Sequence, residues 1–362
     1  MLTDSYVSFT IHRIMKTSVL YAGLSSPHAG WVAIDELAVL FSHYFKAEIL
    51  SPKLIPDRWP TRLIRRNHYS YESLHTNGGD VLIVVARGPG DLGLINSIPG
   101  CRKKFAKIYG FVTDSYFTTG YPRETSLFDA ITVTAHEDIS FPKSRFDIPV
   151  HQLYQGADCL TWAPREHRFR EIDIMSFGRT PTSYHNQFSK RFHNADSPYL
   201  YLHSPLGNIT GQSVHLERSM LFKLLHRTRL SLAFHLFIEP QGNRPRSMMV
   251  TSRWLESLLS GCIVAGRRPV SRMADEMLFW PKATIELSEN PEIATDELIN
   301  LLSHNDSYEE QRRTNIYKMV THHDWRYRID DFCQIMNLSK PQLLQDDLSR
   351  LKELGSLLEH SV

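Results

Sequence analysis

The residues best suited to bind a phosphorylated ligand lie between residues 251 and 261. Thr251 or Ser252 can cap a helix, and Arg253 adds a positive charge to its first turn. The free backbone amides of such a helix start favour an anion. Glu256 lies three residues after Arg253 on the same helix face, where its carboxylate can accept hydrogen bonds from the hydroxyls of a ribose. The segment therefore predicts a site for a nucleotide diphosphate.

The remaining residues of this segment predict where the helix packs and ends. Leucines between 255 and 259 lie on the side opposite Arg253, which predicts a buried face. Gly261 follows the last apolar position, where glycine commonly ends a helix. An ion pair between Arg253 and Glu256 on an exposed helix is the alternative interpretation, and it would stabilise the fold by only about 0.3 to 0.5 kcal/mol.

Apolar runs alternate with helical stretches along the whole chain. Strands are predicted over residues 18–24, 81–86, 107–112, 130–134, 150–154, 172–177, 199–202, 230–236 and 262–265. Helices are predicted over residues 31–45 and 251–260, and two apolar faces beyond residue 324 predict packing helices. The alternation restarts after a polar stretch between residues 155 and 170. We therefore expect an α/β protein with two doubly wound lobes and a cleft at the carboxyl ends of their strands.

Composition excludes several classes of function. Lysine and arginine total 41 against 39 acidic residues, which gives no general attraction for nucleic acid. The four cysteines are far apart and predict neither a zinc site nor a disulfide framework. An apolar run long enough to cross a membrane is not seen, so we expect a cytoplasmic protein. The basic run at residues 62–66 is compatible with peripheral membrane contact.

The helix and following strand over residues 251–264 resemble the donor-binding segment of the GT-B glycosyltransferases, particularly the bacterial group-1 and spore-maturation-type enzymes. Residues 251–253, Glu256 and residues 261–264 match the family pattern in register. Weaker similarity covers most of the chain, including residues 173–179, which look like the first strand of the family's second domain and the glycine turn after it.

This resemblance implies two Rossmann-like domains facing across a cleft. It implies an N-terminal acceptor domain over residues 1–157 and a nucleotide-sugar domain over residues 158–323. The C-terminal helices would occupy residues 324–362, with the first crossing back to the N-terminal domain. The implied reaction is metal-independent transfer of a hexosyl group from a nucleotide diphosphate sugar to a hydroxyl of a glycan, lipid or small molecule, with no cofactor.

The resemblance also implies which residues hold the donor, and two positions depart from the family. The nucleotide-sugar site would comprise Gly178, Arg179, Arg244, Thr251, Ser252, Arg253 and Glu256. Many retaining members carry a second glutamate where this chain has Met248, so the stereochemical outcome is left open. Because no lysine follows Gly178 and Arg179 at the family spacing, arginines are expected to bind the diphosphate.

Transfer to a hydroxyl requires a group that orients or deprotonates the acceptor. His28 lies in the loop after the first predicted strand, and Asp114 follows a later strand of the same lobe. Both are expected at the cleft and are our candidates for catalysis. Gly30, Gly88 and Gly90 are expected to line the acceptor side.

Two other classes of function remain open at this stage. Gly88, Gly90 and Gly93 form a GxGxxG pattern after a strand, with Asp114 about twenty residues later, as in a nicotinamide- or flavin-linked oxidoreductase. A proline at residue 89 and a Pro-Gly pair at residues 99 and 100 argue against the required helix. The missing glutamate at Met248 also fits a non-catalytic, two-lobed binding protein.

Overall fold

The structure is a computed structural model and describes residues 15–55, 70–116, 120–166, 168–203, 213–239 and 247–359. The strands are β1 Thr17–Leu20, β2 Glu48–Leu50, β3 Leu54–Ile55, β4 Ser70–Tyr71, β5 Gly79–Ala86, β6 Phe105–Val112, β7 Ala130–Val133, β8 Val150–Gln152, β9 Ile172–Ser176, β10 Tyr201–His203, β11 Thr228–Phe234, β12 Ile263–Arg267 and β13 Ile285–Glu286. The α-helices are α1 Val32–Phe45, α2 Cys101–Lys104, α3 Ser140–Phe146, α4 Cys159–Trp162, α5 Thr182–Phe192, α6 Val214–Leu225, α7 Ser252–Leu259, α8 Arg272–Met277, α9 Pro291–Ser303, α10 Glu309–His322, α11 Trp325–Ile335 and α12 Gln342–Glu359.

The first lobe is built on a six-stranded parallel sheet in the order β2-β1-β5-β6-β7-β8. Its central strand β5 has apolar side chains on both faces. Val81 and Ile83 pack into one core cluster, and Leu82 and Val84 pack into another. Because successive side chains of a strand point to opposite faces, both faces of this sheet are covered.

The second lobe repeats this arrangement with a five-stranded parallel sheet in the order β10-β9-β11-β12-β13. Strand β9 is buried along its whole length. The carboxyl end of β9 leads into Gly178, which has a φ of +68°. A glycine adopts this left-handed conformation without the strain of a side chain, so the chain turns sharply at the end of the strand.

Two chain segments connect the lobes and pair with each other. The Ala157 amide donates to the His323 carbonyl at 2.9 Å, and the Trp325 amide donates to the Ala157 carbonyl at 3.0 Å. Helix α11 then packs against the first lobe, where Phe332 meets Phe41 edge to face at 5.2 Å between ring centroids. A helix from the end of the chain therefore contributes to the core of the first lobe.

The predicted fold class is confirmed, since two parallel α/β sheets are present and covered by helices. The long predicted strands and helices are found with boundaries that differ by a few residues. Short strands were missed because two or three residues give no readable periodicity: β2, β3, β4 and β13. The limits of the domains stay a prediction. Among the described residues, none of the helices is both long and apolar enough to span a bilayer.

Candidate functional site

Helix α7 begins where the sequence predicted, but its predicted side-chain cap does not form. Thr251 is extended at the N-cap position, and its side chain accepts no hydrogen bond from the helix. The helix then runs from Ser252 to Leu259, and Gly261 follows it with a φ of +70°. The Trp254 amide donates to the Thr251 carbonyl at 3.1 Å, whereas the amides before it have no side-chain cap and could bind an anion.

Arg253 lies directly against the glycine turn after β9. Its Nη1 donates to the Arg179 carbonyl at 2.5 Å. A Cβ atom built on Gly178 would lie 2.6 Å from Nη2 of Arg253, so no larger residue fits here without moving the guanidinium. The structure thus brings together three predicted donor-site residues from two separate segments of the second lobe.

The charge of Arg253 is poorly compensated in the structure. Its Nε atom is buried and has no hydrogen-bond partner among the residues that the structure describes. Burial, followed by the neighbouring charge of Arg179, lowers the pKa of Arg253 to about 10. A buried donor without a partner is unfavourable, and a buried cation more so, unless a ligand supplies the missing acceptor. This location is therefore suited to an anionic group.

Glu256 lies one turn further along α7 and is 4% exposed. Its Oε1 accepts a hydrogen bond from Nη1 of Arg218 at 2.6 Å. Arg218 also donates to both carboxylate oxygens of Glu36 in the first lobe, at 2.9 Å and 3.1 Å. The alternative interpretation of Glu256 as half of an exposed ion pair with Arg253 is wrong, because Glu256 is buried and pairs with Arg218. Arg218 and Glu36 were not predicted as site residues, because neither belongs to a sequence motif.

Asp114 follows β6 at the carboxyl edge of the first sheet, as predicted. Burial raises the pKa of Asp114 to about 7, while a hydrogen bond from Tyr116 and the charge of Arg179 act in the opposite direction. Arg179 belongs to the second lobe, so this charge acts on Asp114 across the cleft. The structure thereby places an acceptor-side candidate near the predicted donor site.

The remaining acceptor-side candidates lie in two loops. His28 is exposed, and its Nδ1 accepts a hydrogen bond from the Gly30 amide at 3.0 Å. Gly88 lies beside Asp114, because a Cβ built on Gly88 would come 3.6 Å from the Asp114 carbonyl oxygen. A Cβ on Gly90 would meet only the Gly120 carbonyl oxygen, at 3.8 Å.

The glycine pattern after β5 does not form a dinucleotide-binding turn. Residues Pro89–Ser97 form a 3₁₀ helix rather than the α-helix whose N-terminus would hold a pyrophosphate.

Arg244, the last predicted donor-site residue, lies outside the described residues.

A buried carboxylate in the first lobe was not expected from the sequence. Asp35 is 1% exposed and accepts a short hydrogen bond from the Tyr21 hydroxyl through Oδ1. Within the described part of the chain its Oδ2 has no hydrogen-bond partner, and it lies 3.7 Å from Nε2 of His215 in the second lobe. Burial raises the pKa of Asp35. The position of Asp35 on an otherwise apolar face of α1 was the one sequence feature that could have indicated a buried carboxylate.

Comparison with known proteins agrees with this architecture. Residues 191–334, which include α7, match the model of a family described as glycosyl transferase-like. The crystal structure of Anabaena HepE is similar, with a TM-score of 0.52, 9% identity and coverage of 89% of this chain and 99% of HepE. S. aureus TarM gives a TM-score of 0.44 at 11% identity, and the match spans 71% of this chain and 55% of TarM. Among curated proteins, none matches in sequence.

The two facing α/β lobes, with a cationic helix start at the carboxyl edge of the second, define the GT-B class of fold. The family match falls on the lobe that carries this helix start. The chain thus has the GT-B fold, and its second lobe matches a glycosyl transferase-like family, in agreement with the resemblance noted from the sequence.

Proposed function

We propose that this protein transfers a hexosyl group from a nucleotide diphosphate sugar to a hydroxyl of a carbohydrate acceptor. The observation that carries this proposal is the unpaired, buried Nε of Arg253 beside the glycine turn at Gly178 and the uncapped start of α7. A diphosphate would supply the acceptors that these donors lack. Because a leaving diphosphate gains negative charge, the same groups would stabilise the transition state more than the bound donor.

We assign the donor's parts to separate residues. The diphosphate would contact Arg253, Arg179 and the first amides of α7, with Arg244 as a further candidate from the sequence. The ribose hydroxyls would donate to Glu256, whose Oε1 is held by Arg218. HepE was crystallised with UDP-glucose, which makes uridine nucleotides the first donors to test. The arginines and helix amides supply positive charge to the leaving group, so the proposed mechanism requires no metal ion.

The acceptor would lie against the first lobe. Asp114 has a pKa near 7 and can therefore accept a proton or a hydrogen bond from a hydroxyl at neutral pH. His28 is bonded to Gly30 through Nδ1, so among the described residues its Nε2 is left to contact an acceptor. Gly88 and Gly90 would leave space for the acceptor. A lipid-linked acceptor, peripheral membrane contact and a cytoplasmic location stay hypotheses from the sequence.

A ligand panel followed by a transfer assay tests this function. UDP, GDP, ADP and their sugar derivatives are compared with NAD, NADP and FAD by thermal shift, and the stabilising sugar nucleotide is then assayed with carbohydrate acceptors. We expect stabilisation by one class of sugar nucleotide and release of its diphosphate on acceptor addition. Nucleotide binding without transfer to any acceptor would instead favour a two-lobed binding protein. Stabilisation by NAD or FAD alone would contradict the proposal.

A further inference from the structure

Arg218 connects the donor site to the opposite lobe through two carboxylates. It lies on α6, pairs with Glu256 on α7 at 2.6 Å, and pairs with Glu36 on α1 at 2.9 Å. The side chains of Arg218 and Glu256 are each 5% exposed, and that of Glu36 is 14% exposed. The three side chains therefore form a continuous, nearly dry ion-pair network from one lobe to the other.

The surroundings fix Arg218 in this position. Trp162 donates from its indole nitrogen to Oε1 of Glu36 at 2.7 Å. Its ring stacks on Phe222 at 4.5 Å between centroids, and the guanidinium of Arg218 lies over Phe222 at 4.9 Å. Both aromatic contacts restrict how Arg218 can reorient. Such restriction lowers the entropy lost when a hydrogen-bonded network is formed.

The charge balance gives Arg218 a role beyond packing. A carboxylate buried without a positive partner is protonated more readily, because removal from water disfavours the charged form. A protonated glutamate has lost one of its acceptor sites and binds ribose hydroxyls less well. Arg218 occupies Oε1 of Glu256 and places a positive charge directly beside this carboxylate.

We propose that Arg218 is a positioning residue for nucleotide recognition. It holds the Glu256 carboxylate in a fixed orientation for the ribose, and it takes its own orientation from Glu36 of the first lobe. Recognition of the ribose then depends on the two lobes lying together. This inference rests on the proposed donor site, but it concerns only the ribose, since the diphosphate is assigned to Arg253.

The division of roles predicts a selective effect on binding. Loss of Arg218 should weaken discrimination between a ribose and a deoxyribose, because that discrimination would reside in Glu256. Pyrophosphate binding should change little, because Arg253 and the start of α7 are left in place. A purely structural role for Arg218 would weaken both ligands together.

The test measures dissociation constants of UDP, 2′-deoxy-UDP and pyrophosphate by titration calorimetry. We expect the wild type to prefer UDP over 2′-deoxy-UDP by about tenfold, the value of a hydrogen bond to a charged group. Arg218→Met should bring this ratio close to one. Its affinity for pyrophosphate should stay within about twofold of the wild type, which is the typical scatter of substitutions that do not touch a ligand. Arg218→Lys should restore part of the ratio, since lysine keeps the charge but not the two-sided geometry.

Two further variants separate the partners of Arg218. Glu256→Gln should abolish the ratio, and adding Arg218→Met should have no further effect on it. Glu36→Gln should reduce the ratio without abolishing it. Arg191→Met, at an exposed arginine of the same lobe, is the matched control and should behave as the wild type.

Should Arg218→Met fail to fold, Arg218→Lys and Glu36→Gln carry the comparison.

The possible failures can be told apart. A ribose preference that survives in Arg218→Met, or an equal loss of UDP and pyrophosphate, overturns the role of Arg218 while leaving the donor site standing. If the wild type binds no uridine nucleotide, the same comparison is made between ADP and 2′-deoxy-ADP and between GDP and 2′-deoxy-GDP. Absence of binding by every nucleotide would overturn the proposed function and this inference with it.

Discussion

Replacement of Arg253 by methionine should stabilise the unliganded protein while weakening its hold on a nucleotide. Arg253 is half-buried, and the unfavourable desolvation of its guanidinium is present only in the folded state. Its pKa is lowered from 12.5 to about 10. Because the folded pKa lies below the unfolded value, the penalty applies throughout the range below pH 10, including neutral pH.

The size of both effects follows from these observations. A lowering of the pKa from 12.5 to about 10 corresponds to roughly 3 kcal/mol of destabilisation. Methionine also loses the hydrogen bond to the Arg179 carbonyl, worth about 1 kcal/mol. The free energy of unfolding should therefore rise by about 2 kcal/mol. Loss of a charged hydrogen bond to the diphosphate, about 1.5 to 3 kcal/mol, should weaken nucleotide binding by roughly 10- to 150-fold.

Urea unfolding of the unliganded protein and calorimetric titration with UDP measure the two effects separately. Arg191→Met is the control for removal of an exposed arginine from the same lobe. Gly178→Ala serves as a second variant, because its methyl group would push the Arg253 guanidinium out of place and should weaken UDP without removing the charge.

The reasoning would be refuted by an Arg253→Met protein that binds UDP as tightly as the wild type. It would also fail if the variant were markedly less stable without ligand, since Arg253 would then contribute to folding rather than to binding. A gain in stability together with weaker binding is the expected signature of a residue retained for its ligand.

Three other variants test the remaining assignments. Glu256→Gln should weaken nucleotide binding, measured by calorimetry, by about 10-fold or more. Glu256→Ala should in addition lower the free energy of unfolding, because it removes a partner of buried Arg218. Asp114→Asn should remove the rise in kcat/KM through about pH 7 that an ionising base gives, and a retained rise would exclude Asp114 as its source. Asp35→Asn should raise the free energy of unfolding at pH 8 and have a smaller effect near pH 4. Burial raises the pKa of Asp35, so its charge disfavours the fold only above the unfolded pKa, and an equal effect at both pH values would contradict this cause.

Local features of the sequence predicted the framework well. The buried strands β5 and β6 are long apolar runs, and the limits of α7 follow from a cap position and from Gly261. Apolar runs and helix ends can be read from residues that are close in sequence. In a long element the apolar pattern recurs several times, which makes it easier to recognise. The approach of Arg253 to Gly178 was likewise expected, because both lie at the carboxyl edge of one sheet.

The partners of individual side chains were decided by the tertiary structure alone. Glu36, Arg218 and Glu256 come from three helices, and their pairing has no local pattern to reveal it. The same holds for Asp35 and His215, which meet only because the lobes face each other.

The sequence by itself therefore determined the class of fold, the position of α7 and the residue types at its start. Only the tertiary structure decided that Arg253 is left with an unpaired nitrogen and that Glu256 is held by Arg218. Secondary structure is set by contacts a few residues apart, whereas desolvation and ion pairing depend on which surfaces the folded chain brings together.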